Sequence, residues 1–184
     1  MAQLQVCLGL RVSELLALRW KDVDWISSRL HIEHGIVMQH FDDVKTDGSR
    51  GTKFLDPALL AILAAWKQVT DFNEMDDWIF ASPVKLGRLP ISYTCYKTAL
   101  QTAAKEIGIA GIGTHSLRHT YRSWLDAVGT PLTVQQKLMR HTDIRTTLNV
   151  YGDVVTNEMQ DAETKIAGLA LEPDSRMISG SAND

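Results

Sequence analysis

Twelve residues, GTHSLRHTYRSW at positions 113–124, hold two histidines and two arginines between a glycine and a tryptophan. Three kinds of chemistry suit such a run. A solvated helix face needs nothing more than the charges. A metal site would use His115 and His119, four apart on one helical face, but the order HxxRH puts a cation between them and supplies no carboxylate within the motif. A phosphate or other oxyanion would be gripped by guanidinium groups with histidine as donor or proton carrier. His115 and Arg118 are three apart and are expected on one side of a helix, with His119 turned toward the core or capping a carbonyl.

The elements that must carry these residues are legible from period and punctuation. MAQLQVCLGLRVSELLALRW is helical with a break at Gly9, and Ser13 with Glu14 is expected to cap the second helix. So apolar a start suggests a chain entered inside a domain, with a region upstream. The stretch RLHIEHGIVMQHF then alternates apolar and polar residues, and DDVKTDGSRGTKFL sets a turn between two extended runs. Together they predict a small antiparallel sheet of about three strands.

Asp56-Pro57 is a helix start, with a cap and then proline at the first helical position. A polar loop anchored by Trp78, Ile79 and Phe80 follows. Ser92 caps a helix ending at Gly108, the quoted stretch opens another that stops at Gly129, and Pro131 begins a short one through LTVQQKLMR. Thr142 and Asp143 offer caps for IRTTLNVYG. After Gly152, Val155, Met159, Ala162 and Ile166 share one helical face. The fold class is α+β: mostly helical, with a small three-stranded antiparallel sheet. Residues 1–172 are expected to form one domain and residues 173–184 a tail without ordered structure. The five tryptophans are expected mainly in the core, Trp124 among them.

Charge and composition narrow the partners. The net charge is -3 and the isoelectric point about 6.1, which argues against a nucleic-acid partner until the distribution is considered. Beyond Tyr151 the chain has seven acidic residues against two basic ones, leaving 17 basic and 15 acidic residues, with all six histidines, in the first 151. A weakly basic body with an acidic tail permits a local basic face. Cys7 and Cys95 form no CxxC pair and read as buried thiols in a reducing compartment. No stretch is long and apolar enough for a membrane span and no signal-peptide pattern opens the chain, so a cytoplasmic location is expected. His31, His34 and His40 lack a metal-ligand pattern and are expected at the surface.

Further groups of the same chemical kind lie elsewhere: Arg11 in GLRVSELLALRW, Lys45 in VKTDGSRGTKFL, His141 and Tyr151 in RHTDIRTTLNVY. With HSLRHT, these blocks, in this order, resemble the catalytic domain of the tyrosine recombinases, the phage-integrase family of site-specific DNA recombinases. The resemblance spans residues 4–152. It implies Arg11 and Arg118 as a clamp on a scissile phosphate, His115 and His141 as donors or proton carriers, Lys45 as proton donor to the departing 5′ oxygen, and Tyr151 as nucleophile forming a 3′-phosphotyrosyl link. Glu14 is implied as support for Arg11, the lesser alternative being a plain surface ion pair at i, i+3. Lys53, on the strand after the turn, is the competing lysine.

The chemistry is coherent. Guanidinium forks match the oxygen geometry of a charged phosphorane, and a covalent link that keeps the energy of the broken bond needs no ATP. The implied cofactor set is therefore none, with no metal; the implied partners are double-stranded DNA and further copies of the chain, as a tetramer on synapsed sites, without a membrane. A catalytically silent DNA-binding module of the same fold, or a type IB topoisomerase-like nicking and closing enzyme, are the alternatives. Arg140, where that family usually has glycine, and Tyr121-Arg122, where small residues are commoner, depart from the pattern. Arg140 adds either a phosphate contact or a different helix end.

Overall fold

Period-2 and period-3.6 patterns divide the chain where the sequence suggests, as seen in a computed structural model that describes residues 1–37, 40–43 and 51–140. Lys45, His141, Tyr151, the IRTTLNVYG helix, the stripe from Val155 to Ile166 and the 173–184 tail lie outside the described residues.

Helix α1 (Ala2–Leu8) buries Leu4, Gln5 and Leu8 and stops at Gly9, which takes the left-handed conformation at φ 62°. Helix α2 (Val12–Leu16) follows at once. Its cap differs from expectation. Arg11, not Ser13, holds the N-cap position, and the Glu14 carboxylate reaches back to accept from the Arg11 backbone N–H at 2.7 Å. Glu14 thus satisfies one of the donors a helix start leaves orphaned.

Five short strands follow: β1 (Val23–Asp24), β2 (Arg29–Ile32), β3 (His34–Val37), β4 (His40–Asp43) and β5 (Gly51–Phe54). The three-stranded antiparallel sheet is there, in the order β1-β2-β5. Among the described residues, β4 pairs with β3 as a separate two-stranded ribbon, and β5 pairs with β2. In the β2–β5 register Leu30 faces Lys53 and Ile32 faces Gly51. Cross-strand partners share a face, so a lysine is placed on the side that Leu30 and Ile32 bury.

Four more helices follow among the described residues. Helix α3 (Pro57–Val69) is capped by Asp56, whose side chain accepts from Ala58 N–H at 2.9 Å. Helix α4 (Tyr93–Glu106) is capped by Ser92 through Cys95 N–H at 3.1 Å. Helices α5 (Thr114–Ala127) and α6 (Leu132–Met139) follow α4. The apolar core gathers Leu10, Leu15, Trp20, Leu30, Leu55, Leu59 and Ile79 around the sheet, and Trp78, Ile79 and Phe80 anchor their loop as expected. No helix among the described residues is long and apolar enough to cross a membrane.

Three burial expectations fail. Cys7 and Cys95 are exposed free thiols, because α1 turns Leu4 and Leu8 inward and α4 turns Tyr96 inward. Trp124 is 53% exposed on the outer face of α5. His119 is exposed as well, since α5 buries the row Thr114, Arg118 and Arg122.

Candidate active site

The site is built where the α1–α2 turn, β5, α5 and the end of α6 converge. Gln5, fully buried, fixes the first contact: its amide donates to the carbonyls of Leu10 (3.2 Å) and Thr114 (3.0 Å) and accepts from the Tyr96 hydroxyl at 2.7 Å. That seats the Gly9–Arg11 turn against the start of α5. Tyr121 then packs flat on Gly9, so closely that a Cβ there would lie 2.2 Å from Tyr121 Cδ1.

From α5, Arg118 is 6% exposed and donates through Nη1 to the Gly9 carbonyl and through Nη2 to the Met139 carbonyl. Arg11 donates Nη1 to Glu14 Oε1 at 2.9 Å and Nη2 to the Arg140 carbonyl at 3.2 Å. The Arg11–Glu14 pair is no surface ion pair: the Glu14 side chain is 1% exposed. Lys53 donates Nζ to the Leu138 carbonyl and lies 3.4 Å from the Tyr121 hydroxyl.

Three successive carbonyls at the end of α6, those of Leu138, Met139 and Arg140, therefore each receive a different cation. Physical chemistry gives the reason. The last carbonyls of a helix lack intrahelical partners and sit at the negative end of its dipole. The segment so held leads directly to His141.

Arg140 itself is a fourth cation. It occupies the left-handed region at φ 51°, which costs a side-chain-bearing residue about 1 kcal/mol or more. Its guanidinium, 5% exposed, is ion-paired through Nη2 to Glu14 Oε2. Helix α6 stops at Met139 and the chain turns at Arg140, in the left-handed conformation that a glycine at a helix end commonly takes.

Electrostatics follow from burial. Among the described residues, four cationic side chains gather about a single carboxylate, Glu14. Burial, reinforced by the Arg140 and Arg118 charges, pulls the Lys53 amine down to about 7, with Glu14 opposing. Burial and the neighbouring Arg11 bring Arg118 down to about 10. Burial lowers Arg140 too, against the pull of Glu14. The hydroxyl of Tyr121 is raised by burial, with Arg140 and Arg118 acting the other way. A cluster with so many confined positive charges favours a nearby oxyanion.

Of the residues singled out from sequence, Arg11, Glu14 and Arg118 come together. His115 does not join them by any described contact: it is exposed beside His119, ring centroids 6.1 Å apart and nearly edge-on, so the shared side expected for His115 and Arg118 resolves into an exposed ring and a buried guanidinium. Lys53, Arg140 and Tyr121 join the site beyond that set. The alternation in GTKFL, with Thr52 and Phe54 outward, is the signal that points Lys53 inward. Among the described residues no group of three or more His, Cys, Asp or Glu side chains is arranged for a metal ion.

Comparison with known proteins adds to this geometry. The model of the phage integrase family matches residues 1–158. An integrase of Staphylococcus phage L54a is 29% identical, over 91% of this chain and 51% of its own. The tyrosine recombinase XerD of Rhizobium meliloti (strain 1021) is 30% identical, over 83% and 46%. The chain spans about half the length of these curated relatives. Among solved structures, the Tn1549 transposon integrase in complex with a circular intermediate DNA superimposes with a TM-score of 0.75, at 19% identity over 90% of this chain and 57% of that one. That likeness is one of fold.

Proposed function

Since the chain belongs to the phage integrase family, we propose that it is the catalytic part of a site-specific DNA recombinase, an enzyme that cuts and rejoins DNA strands through a covalent tyrosine link. One observation carries the reading: Arg11 and Arg118, far apart in sequence, converge on one helix end, Arg118 at the Met139 carbonyl and Arg11 at the Arg140 carbonyl, with Arg11 also held by the buried Glu14 carboxylate. Two guanidinium groups so fixed suit the non-bridging oxygens of a phosphodiester, where negative charge grows in the transition state.

In this reading the Tyr151 oxygen attacks phosphorus as the bond to the 5′ oxygen breaks. The tyrosine proton passes to His141 or His115, and Lys45 protonates the departing 5′ oxygen. A 5′ hydroxyl from a partner strand then attacks the phosphotyrosine, the bond to Tyr151 breaks, and the proton movements reverse. Each step exchanges one phosphoester for another, so neither ATP nor a metal is called for. Arg11 and Arg118 hold the phosphate throughout, and Glu14 holds Arg11. Lys53 donates to the Leu138 carbonyl on the inner side of the site, and the proton donor in this reading is Lys45.

The partners in this reading are double-stranded DNA and other copies of the chain, assembled as a tetramer on synapsed sites in the cytoplasm. The kinship with an integrase and a tyrosine recombinase supports it, as does the circular intermediate DNA bound by the Tn1549 integrase.

The test is to incubate the chain with nicked duplexes drawn from DNA flanking its gene and look for a protein–DNA adduct that survives denaturing electrophoresis. The expected result is an adduct that Tyr151→Phe abolishes. Tight DNA binding with no adduct in the unsubstituted chain would replace this reading with a silent binding module.

A further inference from the structure

Three residues close a ring. Arg11 Nη1 donates to Glu14 Oε1, Arg140 Nη2 donates to Glu14 Oε2, and Arg11 Nη2 donates to the carbonyl of Arg140. Arg11 is thus tied to Arg140 twice, once through a carboxylate and once through a main-chain oxygen. From this ring we infer that Arg140 is a positioning residue for the phosphate pocket, setting the angle at which the Arg11 guanidinium is presented to a bound phosphodiester.

The inference rests on the recombinase reading for what Arg11 holds, and on geometry alone for how Arg11 is held. A carboxylate carrying one guanidinium can swing about its own χ angles. Held at both oxygens, by Arg11 on one and by Arg140 and the Arg11 backbone N–H on the other, Glu14 has one orientation left.

The molecule accommodates this ring at two places where another residue would be simpler. Arg140 adopts φ 51°, the left-handed region that glycine enters without a penalty. Its side chain then crosses β5 at Gly51, where a Cβ would lie 2.7 Å from Arg140 Cδ. Its Nε and Nη1 are buried and find no acceptor among the described residues. A buried guanidinium with two unpaired donors adds little to fold stability, because desolvation offsets the attraction to Glu14. It does add a fixed positive charge behind Arg11, which a phosphate would feel through a low dielectric.

Ordinary structural support and positioning part ways in measurement. Arg140→Gly suits the backbone angle, keeps the carbonyl and removes only the guanidinium. In the unsubstituted chain the Arg11 side-chain N–H signals, assigned by their loss in Arg11→Lys, should be resolved by hindered rotation in a proton–nitrogen NMR spectrum. In Arg140→Gly they should average together.

On DNA, single-turnover adduct formation by Arg140→Gly should slow by roughly tenfold to a hundredfold, the scale of a small misplacement of a reacting group. DNA affinity should stay within about twofold. The slowing should shrink when a neutral methylphosphonate replaces the scissile phosphate, because Arg11 then has less charge to meet. Arg140→Lys should recover part of the rate.

Unchanged Arg11 signals in a folded Arg140→Gly overturn the inference, as does an equal loss of rate on both substrates. Should Arg140→Gly not fold, Arg140→Met, which keeps bulk and removes the charge, decides by the same spectrum. A chain that forms no adduct at all counts against the recombinase reading, while the spectrum still judges Arg140.

Discussion

The described chain has two buried centres that hold together by opposite means. Around the sheet, Leu10, Leu15, Leu30, Leu55 and Ile79 are fully or almost fully buried, and each gains by leaving water. A few residues away, Lys53, Arg118 and Arg140 are buried nearly as deeply with one carboxylate between them. The first centre is self-sufficient, for any apolar neighbour of fitting volume serves it. The second is satisfied only by particular acceptors in particular places: the Gly9, Leu138, Met139 and Arg140 carbonyls and Glu14. What separates them is that an apolar core tolerates exchange of its members, whereas a cation cluster stands on its one counter-charge.

The sharpest test of that contrast sets Glu14→Ala against Leu15→Ala, adjacent residues serving different centres. Removing the carboxylate should cost about 3–5 kcal/mol in chemical denaturation, as for a broken buried ion pair. The neighbouring truncation should cost about 2–5 kcal/mol from its cavity. Inorganic phosphate should restore part of the loss in Glu14→Ala by supplying an anion and leave Leu15→Ala where it was. Equal responses to phosphate would erase the distinction between the centres.

The next effect is on pH dependence. With its folded pKa lowered to about 7 from 10.5, Lys53 gives up its proton in the folded state before it would in the unfolded chain. Between those values the unfolded chain binds more protons, so stability rises with pH across that window, and the penalty of the buried ammonium is fully present below it. Lys53→Met, which keeps the bulk and removes the charge, should be favoured relative to the unsubstituted chain at pH 6. It should lose that advantage, on the order of a few kcal/mol, by pH 10. A difference that stays constant from pH 6 to 10 would mean Lys53 is not confined as described.

The smallest effect separates contact from conformation. Gly9→Ala meets both a left-handed backbone and the Tyr121 ring, and should cost about 1–3 kcal/mol or more as Tyr121 is pushed off the turn. Gly108 has φ 77° but nothing within 4 Å of a Cβ, so Gly108→Ala should cost only the backbone term, about 1 kcal/mol. Thermal melts of the pair measure what the site adds to an ordinary helix end. Equal shifts would place Tyr121 outside the cluster's structure.

The same division governs what could be read from the chain alone. Asp56-Pro57, Ser92, Gly9 and the alternation in RLHI announce helices and strands because their signals are local, spanning four residues or fewer. The blocks carrying Arg11, Glu14 and Arg118 were legible as well, since a motif travels with its neighbours. The second centre was not, because its contacts join Arg11 to Arg140, Arg118 to Gly9 and Lys53 to Leu138, and no periodicity encodes partners so distant. His119 and Trp124 were misjudged for a related reason. A helix with arginines on its buried row inverts the rule that aromatic rings go in and charges stay out.

The crossing of Arg140 over Gly51 has one more consequence, for anyone who would exchange parts of this domain with those of a relative. Strand β5 and the residue after α6 are far apart in sequence yet form a lock and its key. A transplanted strand with a side chain at position 51 forces the Arg140 side chain to shift, and a transplanted helix end without the arginine removes what Gly51 makes room for. The two must be inherited as a single cassette.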